Sequence, residues 1–175
     1  MSHQRIRTAN TRDGFLNPGL DFESSQVVVA GDQVFLMGCT GLTLDGKGFI
    51  GEGDPAAQAE QAMRNMQILL EEAGAQMEDI CLINNFTTNR PDREQVYPVI
   101  ARHLQGVNPV STGLIVKDLA APYIRFEIDA WAVIPRDRQR GHQRFRVRNA
   151  KGGFAVPGMD LDCARIIRAN DHLFF

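Results

Sequence analysis

Residues 123–133 read YIRFEIDAWAV, and the rest of the chain can be placed around this stretch. The residues alternate with period two. Ile124, Phe126, Ile128, Ala130 and Ala132 fall on one face, and Tyr123, Arg125, Glu127, Asp129 and Trp131 on the other. This is a strand with an apolar face for a core and a second face that carries charge. A charged strand face is either solvated or functional. Glu127 on that face is the candidate catalytic carboxylate.

Working backward, residues 110–116 form a strand containing Gly113, and residues 117–122 link it to the decisive strand. Residues 80–88, ICLINNFTT, form another strand. Asn84 and Asn85 are unusual there, because Asn is depleted in strands and needs partners when buried. They imply either an edge strand wetted on one side or a pocket wall that offers amide and backbone groups. Between these strands, a second helix starts near Pro91-Asp92 and ends near Leu104, with Pro98 expected to kink it or shift its start. The clearest helix opens at Asp54-Pro55. Asp54 suits the cap and Pro55 the first turn. Its apolar residues at 59, 62, 63, 66, 69, 70 and 73 make one stripe, and Gly74 ends it. Residues 26–30 and 33–39 read as a hairpin about the Gly31-Asp32 turn. The glycine-rich residues 40–53 form a loop with a turn signal at Asp45-Gly46.

Three regions follow from this text: an irregular lead-in over 1–23 with a turn at Asn17-Pro18-Gly19, a domain over 24–135, and a C-terminal extension over 136–175. Residues 136–151 carry six arginines and one lysine against one aspartate. RFRVR at 144–148 alternates as an edge strand does. Beyond them the chain turns apolar again, so it is expected to dock on its own domain or on a neighbouring subunit. Asp160 and Asp162 are expected to cap a last helical turn through Ile167.

The chain has 175 residues and a net charge of −2, which favours neither nucleic acid nor membrane. No segment approaches a membrane span, and the opening residues have no apolar signal core. Cys39, Cys81 and Cys163 are odd in number and widely spaced, which points to a reducing, cytoplasmic setting. Cys39 reads as a buried structural cysteine or a cleft residue; no histidine lies near it in sequence to form a thiolate. The four histidines, at 3, 103, 142 and 172, have no metal-site spacing, so no metal is expected.

The text resembles the Rid family, the reactive intermediate (imine/enamine) deaminases also called YjgF. The resemblance covers about residues 25–135. It is carried by SQVVVAGDQVFLMG at 25–38, DPAAQAEQAMRNMQILLEEAGAQMEDI at 54–80, INNFTTN at 83–89 and RFEIDAWAVIP at 125–135. It implies a chorismate-mutase-like α+β fold, with two helices on one face of a sheet. It also implies a homotrimer with a central barrel, and sites in clefts between subunits. The implied reaction is hydrolysis of an imine or enamine to ammonia and a keto product, without metal or cofactor. Glu127 matches the family glutamate that positions or activates water. Gly38 matches the glycine of the family's SG motif, and Cys39 and Thr40 the residues after it. The backbone of Asn85, Phe86 and Thr87 matches the pocket wall, and Ser111 with Thr112 the motif that follows the family's substrate-clamping arginine.

That arginine is missing. Anchoring on Ser111 puts Val110 in its place, and counting back from Glu127 puts Thr112 there. Ser24 stands where the family has a tyrosine. Three explanations are open. Another cation replaces the clamp, with Arg125, Lys117 and the arginines of the extension as candidates. Or the small-molecule substrate is a different C–N compound without that carboxylate. Or chemistry is lost, and the chain is a non-catalytic ligand-binding trimer. The arginine run raises RNA binding or cleavage as a third function class, but no nucleic-acid partner is expected from this acidic, aromatic-poor text.

Overall fold

A computed structural model of the chain describes residues 3–13, 20–149 and 161–175. Its centre is a six-stranded mixed sheet. The strands are β1 (Gln4–Asn10), β2 (Glu23–Ala30), β3 (Gln33–Leu36), β4 (Ile80–Thr87), β5 (Val110–Ile115) and β6 (Phe126–Val133). Their spatial order is β1-β2-β3-β6-β4-β5. All neighbours are antiparallel except β4 and β5. That parallel pair needs a crossover, and α2 (Arg93–His103) supplies it. The longer helix α1 (Pro55–Glu72) joins the first and second halves of the sheet.

Both helices pack on one sheet face, as the sequence implies. The stripe of α1 is buried throughout: Ala59, Ala62, Met63, Met66, Leu69 and Leu70 are fully inaccessible. It meets Val96, Ile100 and Leu104 of the second helical segment and Phe126, Ile128, Ala130 and Ala132 of β6. Asp54 caps α1 by accepting from the backbone N–H of Ala56 and Ala57, both at 3.0 Å. Pro98 lies inside α2, which starts at Arg93 after a 3-10 turn at Arg90–Asp92.

Two buried polar residues on α1 escape a reading by apolar periodicity. Gln58 donates to the carbonyls of Gly51 and Tyr123, both at 2.9 Å, and accepts from the Arg125 and Phe126 amides at 2.8 and 3.3 Å. Asn65 donates to the Leu42 carbonyl at 2.7 Å. Every polar atom of Gln58 is therefore satisfied, which offsets the cost of its burial. Together they pin the glycine-rich loop and the entry to β6 against the helix.

Several expectations are corrected. The lead-in is not irregular throughout, because Gln4–Asn10 pairs with β2 as an edge strand. Only Ile6 of that strand packs on the core, so the segment has too little apolar signal to read as a strand. The expected turn at Asn17-Pro18-Gly19 lies outside the described residues. β4 is internal, flanked by β6 and β5, so its asparagines do not mark a sheet edge. No helical turn runs through Ile167. Instead β7 (Gln143–Phe145), β10 (Ile166–Ala169) and β11 (His172–Phe174) form a small antiparallel sheet, and β8 (Arg148–Asn149) pairs with β9 (Asp162–Cys163). The 144–148 alternation breaks at Arg146, which adopts φ 54°. Asp162 is therefore a strand residue, while Asp160 lies outside the described residues.

The described part of the extension lies against its own domain. Ala164, Ile167 and Ala169 share a second buried cluster with Cys81, Val110 and Val133. Asp32, in the β2–β3 turn, accepts from Asn170 at 2.8 Å and lies 2.9 Å from His172. Truncation after residue 135 is expected to lose about 3 kcal/mol, the order of burying one Ile and two small side chains, and to bind an apolar dye. An unchanged melting temperature would contradict this docking. Among the described residues no helix is long and apolar enough to cross a membrane.

Candidate active site

The sheet face opposite the helices is covered by the extension at its Val110 and Val133 end; among the described residues the rest of it is open. Trp131 and Leu114 stand on it 39% and 49% exposed. Directly opposed residues share a face. Glu127 opposes Phe86, and Asp129 opposes Asn84, which in turn opposes Thr112. Glu127, Asp129, Asn84, Phe86 and Thr112 thus lie on one face, across β6, β4 and β5.

Gly38 makes room for the Glu127 carboxylate. A Cβ at Gly38 would lie 2.2 Å from Glu127 Oε1 and 2.7 Å from its Cδ. No side chain larger than hydrogen fits while Glu127 keeps this position. Burial raises the Glu127 pKa above the ordinary carboxylate range, and the nearby Asp129 raises it further. Asp129 is also raised by burial, but Asn84 opposes this by hydrogen-bonding its carboxylate. The Asn84 side-chain amide donates at 2.9 Å and its backbone N–H at 3.3 Å. Asn84 thus favours charge on Asp129, and that charge disfavours charge on Glu127.

The remaining sequence candidates separate. Cys39 is fully buried, and its thiol is pushed up to about 12 by burial first, then by Glu127 and Asp129. It is not a nucleophile at neutral pH. Its backbone exchanges two hydrogen bonds with Ile128, at 2.7 and 2.9 Å, which fixes the strand beside Glu127. Thr40 is buried, with its hydroxyl accepting from the Leu42 N–H at 3.1 Å. Asn85 and Thr87 alternate with Asn84 and Phe86, so their buried side chains point to the helix side. The Asn85 amide donates to the Thr112 carbonyl at 3.1 Å. Ser111 opposes Ile83 and hydrogen-bonds the Cys163 thiol. Ser24 is exposed on β2, two strands from β6.

Arg125 does not join Glu127. The β6 ladder starts only at Phe126, so the alternation does not hold Arg125 to the open face. Its guanidinium forks onto Asp92, with Nε 2.8 Å from Oδ2 and Nη2 bonded to Oδ1, and Nη1 donates to the Gly53 carbonyl at 3.1 Å. Asp92 is 1% exposed. This fork is the pairing that a substrate carboxylate would otherwise need.

A family model described as Endoribonuclease L-PSP matches residues 22–134. The chain belongs to this family, the YjgF or Rid family. A relative from Dermatophagoides farinae, named 2-iminobutanoate/2-iminopropanoate deaminase, is 30% identical over 110 residues, covering 63% of this chain and 84% of its own. The crystal structure of a YjgF/YER057c/UK114 family member from Mycobacterium tuberculosis is 26% identical with a TM-score of 0.62, covering 76% of this chain and all of that one. A Rid-family structure from Yersinia pestis shares the fold at 19% identity and a TM-score of 0.62, covering 76% of this chain and 100% of that one. The α+β, chorismate-mutase-like class follows, with two helices on one face of the sheet.

Two residues of this candidate site are not singled out by motif. Asp129 lies two residues after Glu127, so the alternation alone places it on the same face. Asn84 is visible only as a polar residue in an apolar strand. The signal for Arg125 being occupied is weaker still, because Asp92 is 33 residues away in sequence.

Proposed function

We propose that this Rid-family chain is a hydrolytic deaminase of an imine, enamine or related C–N compound, with Glu127 as the group that positions and deprotonates water. The observation that carries this reading is the Glu127 carboxylate, lodged over Gly38 on the open part of that sheet face, with its pKa drawn upward by burial and by Asp129. A base is most effective when its pKa approaches the working pH. Glu127 would take a proton from water as the water oxygen attacks the electrophilic C=N carbon. With the C=N nitrogen entering protonated, this addition gives a carbinolamine; Glu127 would then give its proton to the amine nitrogen and take the carbinolamine hydroxyl proton as the C–N bond breaks, releasing ammonia and the carbonyl product. No step is assigned to a metal or cofactor.

The part of this face that the extension leaves open supports a homotrimeric assembly in which the site lies in a cleft between subunits. Trp131 and Leu114 would leave water there. Sedimentation should give a mass three times 19.5 kDa; a monomer at working concentration would contradict the assembly.

The substrate side of the reading rests on what the face lacks. Val110 and Thr112 stand where the clamp arginine is expected, and Arg125 is already paired. A substrate without a carboxylate beside the reacting carbon is therefore favoured. The test is ammonia release by the wild type from freshly generated imines and enamines with and without that carboxylate. Faster release from the uncarboxylated members is expected. Faster release from the 2-imino acids would contradict the substrate assignment. No release from any member by the assembled protein would leave the second reading, a ligand-binding trimer, which the missing clamp also favours.

A further inference from the structure

A cleft of about 570 Å³ opens in the C-terminal extension, lined by Arg136, Arg140, Arg168, Gln143 and Asp137 among others. All its lining residues lie beyond residue 134, where the family match ends. It is therefore not part of the site on the open sheet face. We propose that this cleft binds a small phosphate-bearing molecule.

Three separate segments bring the arginines together. Arg168 sits on β10, with Gln143 of β7 directly opposite, so the guanidinium and the Gln143 amide share a face. Arg136 is held from its backbone, whose N–H donates to the Asn170 side chain at 3.2 Å in the β10–β11 turn. Arg140 closes a turn through its N–H to the Asp137 carbonyl at 3.3 Å. Three arginines and one aspartate line the cleft, with Asp171 and Asp32 pairing Arg136 from beside it, so among the described residues the charge left without a carboxylate partner is that of Arg168.

These arginines differ in how they are occupied. Arg136 pairs with Asp171 at 2.7 Å and with Asp32 at 3.7 Å, and Arg140 with Asp137 at 3.3 Å on a strongly exposed side chain. Among the described residues Arg168 has no ion pair. It is exposed on a strand whose neighbours Ile167 and Ala169 are fully buried, so its backbone is anchored while its charge is not. Exposed pairs such as Arg140 with Asp137 are worth little and yield readily to a competing anion. A guanidinium presents a planar fork that matches phosphate oxygens in pairs. A carboxylate has only two oxygens and one charge. A phosphate or pyrophosphate group can serve several forks at once. The volume falls within the range of small-molecule pockets.

The experiment titrates inorganic pyrophosphate into the full chain at low ionic strength, comparing wild type with Arg168→Glu, Arg168→Lys and Arg140→Glu. Saturable wild-type binding is expected, weakened about tenfold or more in Arg168→Glu and Arg140→Glu and less in Arg168→Lys. Both charge reversals lie on exposed side chains, so melting temperature and assembly mass should not move. Equal affinity in wild type and Arg168→Glu, or no saturable binding to wild type, would overturn the proposal. So would binding of a short single-stranded RNA that pyrophosphate does not displace, which would make the arginines a polynucleotide surface.

Discussion

Gly38→Ala should remove most of the imine hydrolysis while leaving the fold in place. The added Cβ would stand 2.2 Å from Glu127 Oε1 and 3.0 Å from its Cγ. The crowding atoms are the far end of a flexible side chain, so the carboxylate swings aside and the backbone stays. A misplacement of about 1 Å in a catalytic group costs on the order of a hundredfold in rate. The expected result is a kcat/KM down by about that factor with a melting temperature within a few degrees of wild type. Full activity in Gly38→Ala would mean that the observed position of the Glu127 carboxylate is not the one used.

Arg125→Ala should act on stability rather than on substrate choice. It would leave Asp92 charged, 1% exposed and without its fork. Removing one partner of a buried ion pair typically costs about 3 kcal/mol or more. In a domain of this size that corresponds to a drop of about 10 °C in melting temperature. Arg125→Lys should recover only part of the loss, since a single ammonium cannot reproduce both bonds to Asp92. A normal melting temperature with a raised KM only for carboxylated substrates would show instead that Arg125 is the clamp.

The fold is legible where apolar periodicity is strong. The stripe from Ala59 to Leu70 and the alternation from Ile124 to Ala132 each specify an element and a buried face, and two such faces define the core. β1 is not legible because Ile6 alone carries its inward face. The small sheet of the extension is not legible because its strands are two to four residues long. At the candidate site, Glu127 and Gly38 are visible through the family pattern and Asp129 through the alternation. The pairing of Asn84 with Asp129 and of Arg125 with Asp92 depends on which strands and helix ends meet. No spacing in the chain encodes that, so the same arginine reads equally well as a clamp until its partner is located.

The raised Glu127 pKa also links function to stability. A carboxyl whose folded pKa lies above its unfolded value favours the protonated folded state, so stability declines as pH rises between the two values. Glu127→Gln removes that penalty. It should melt higher than wild type at neutral and alkaline pH, and the gain should vanish in acid below the ordinary glutamate range.

The most direct test of Glu127 as the base follows kcat/KM for ammonia release from an imine lacking a carboxylate, across pH, in wild type and Glu127→Gln. Wild-type rates should fall on the acid side at a pH above that of an ordinary glutamate, because the protonated base cannot activate water. Glu127→Gln should lose about 10²–10⁴-fold and show no acid limb. An assembled Glu127→Gln protein that keeps the wild-type rate and pH profile would contradict the role given to this carboxylate.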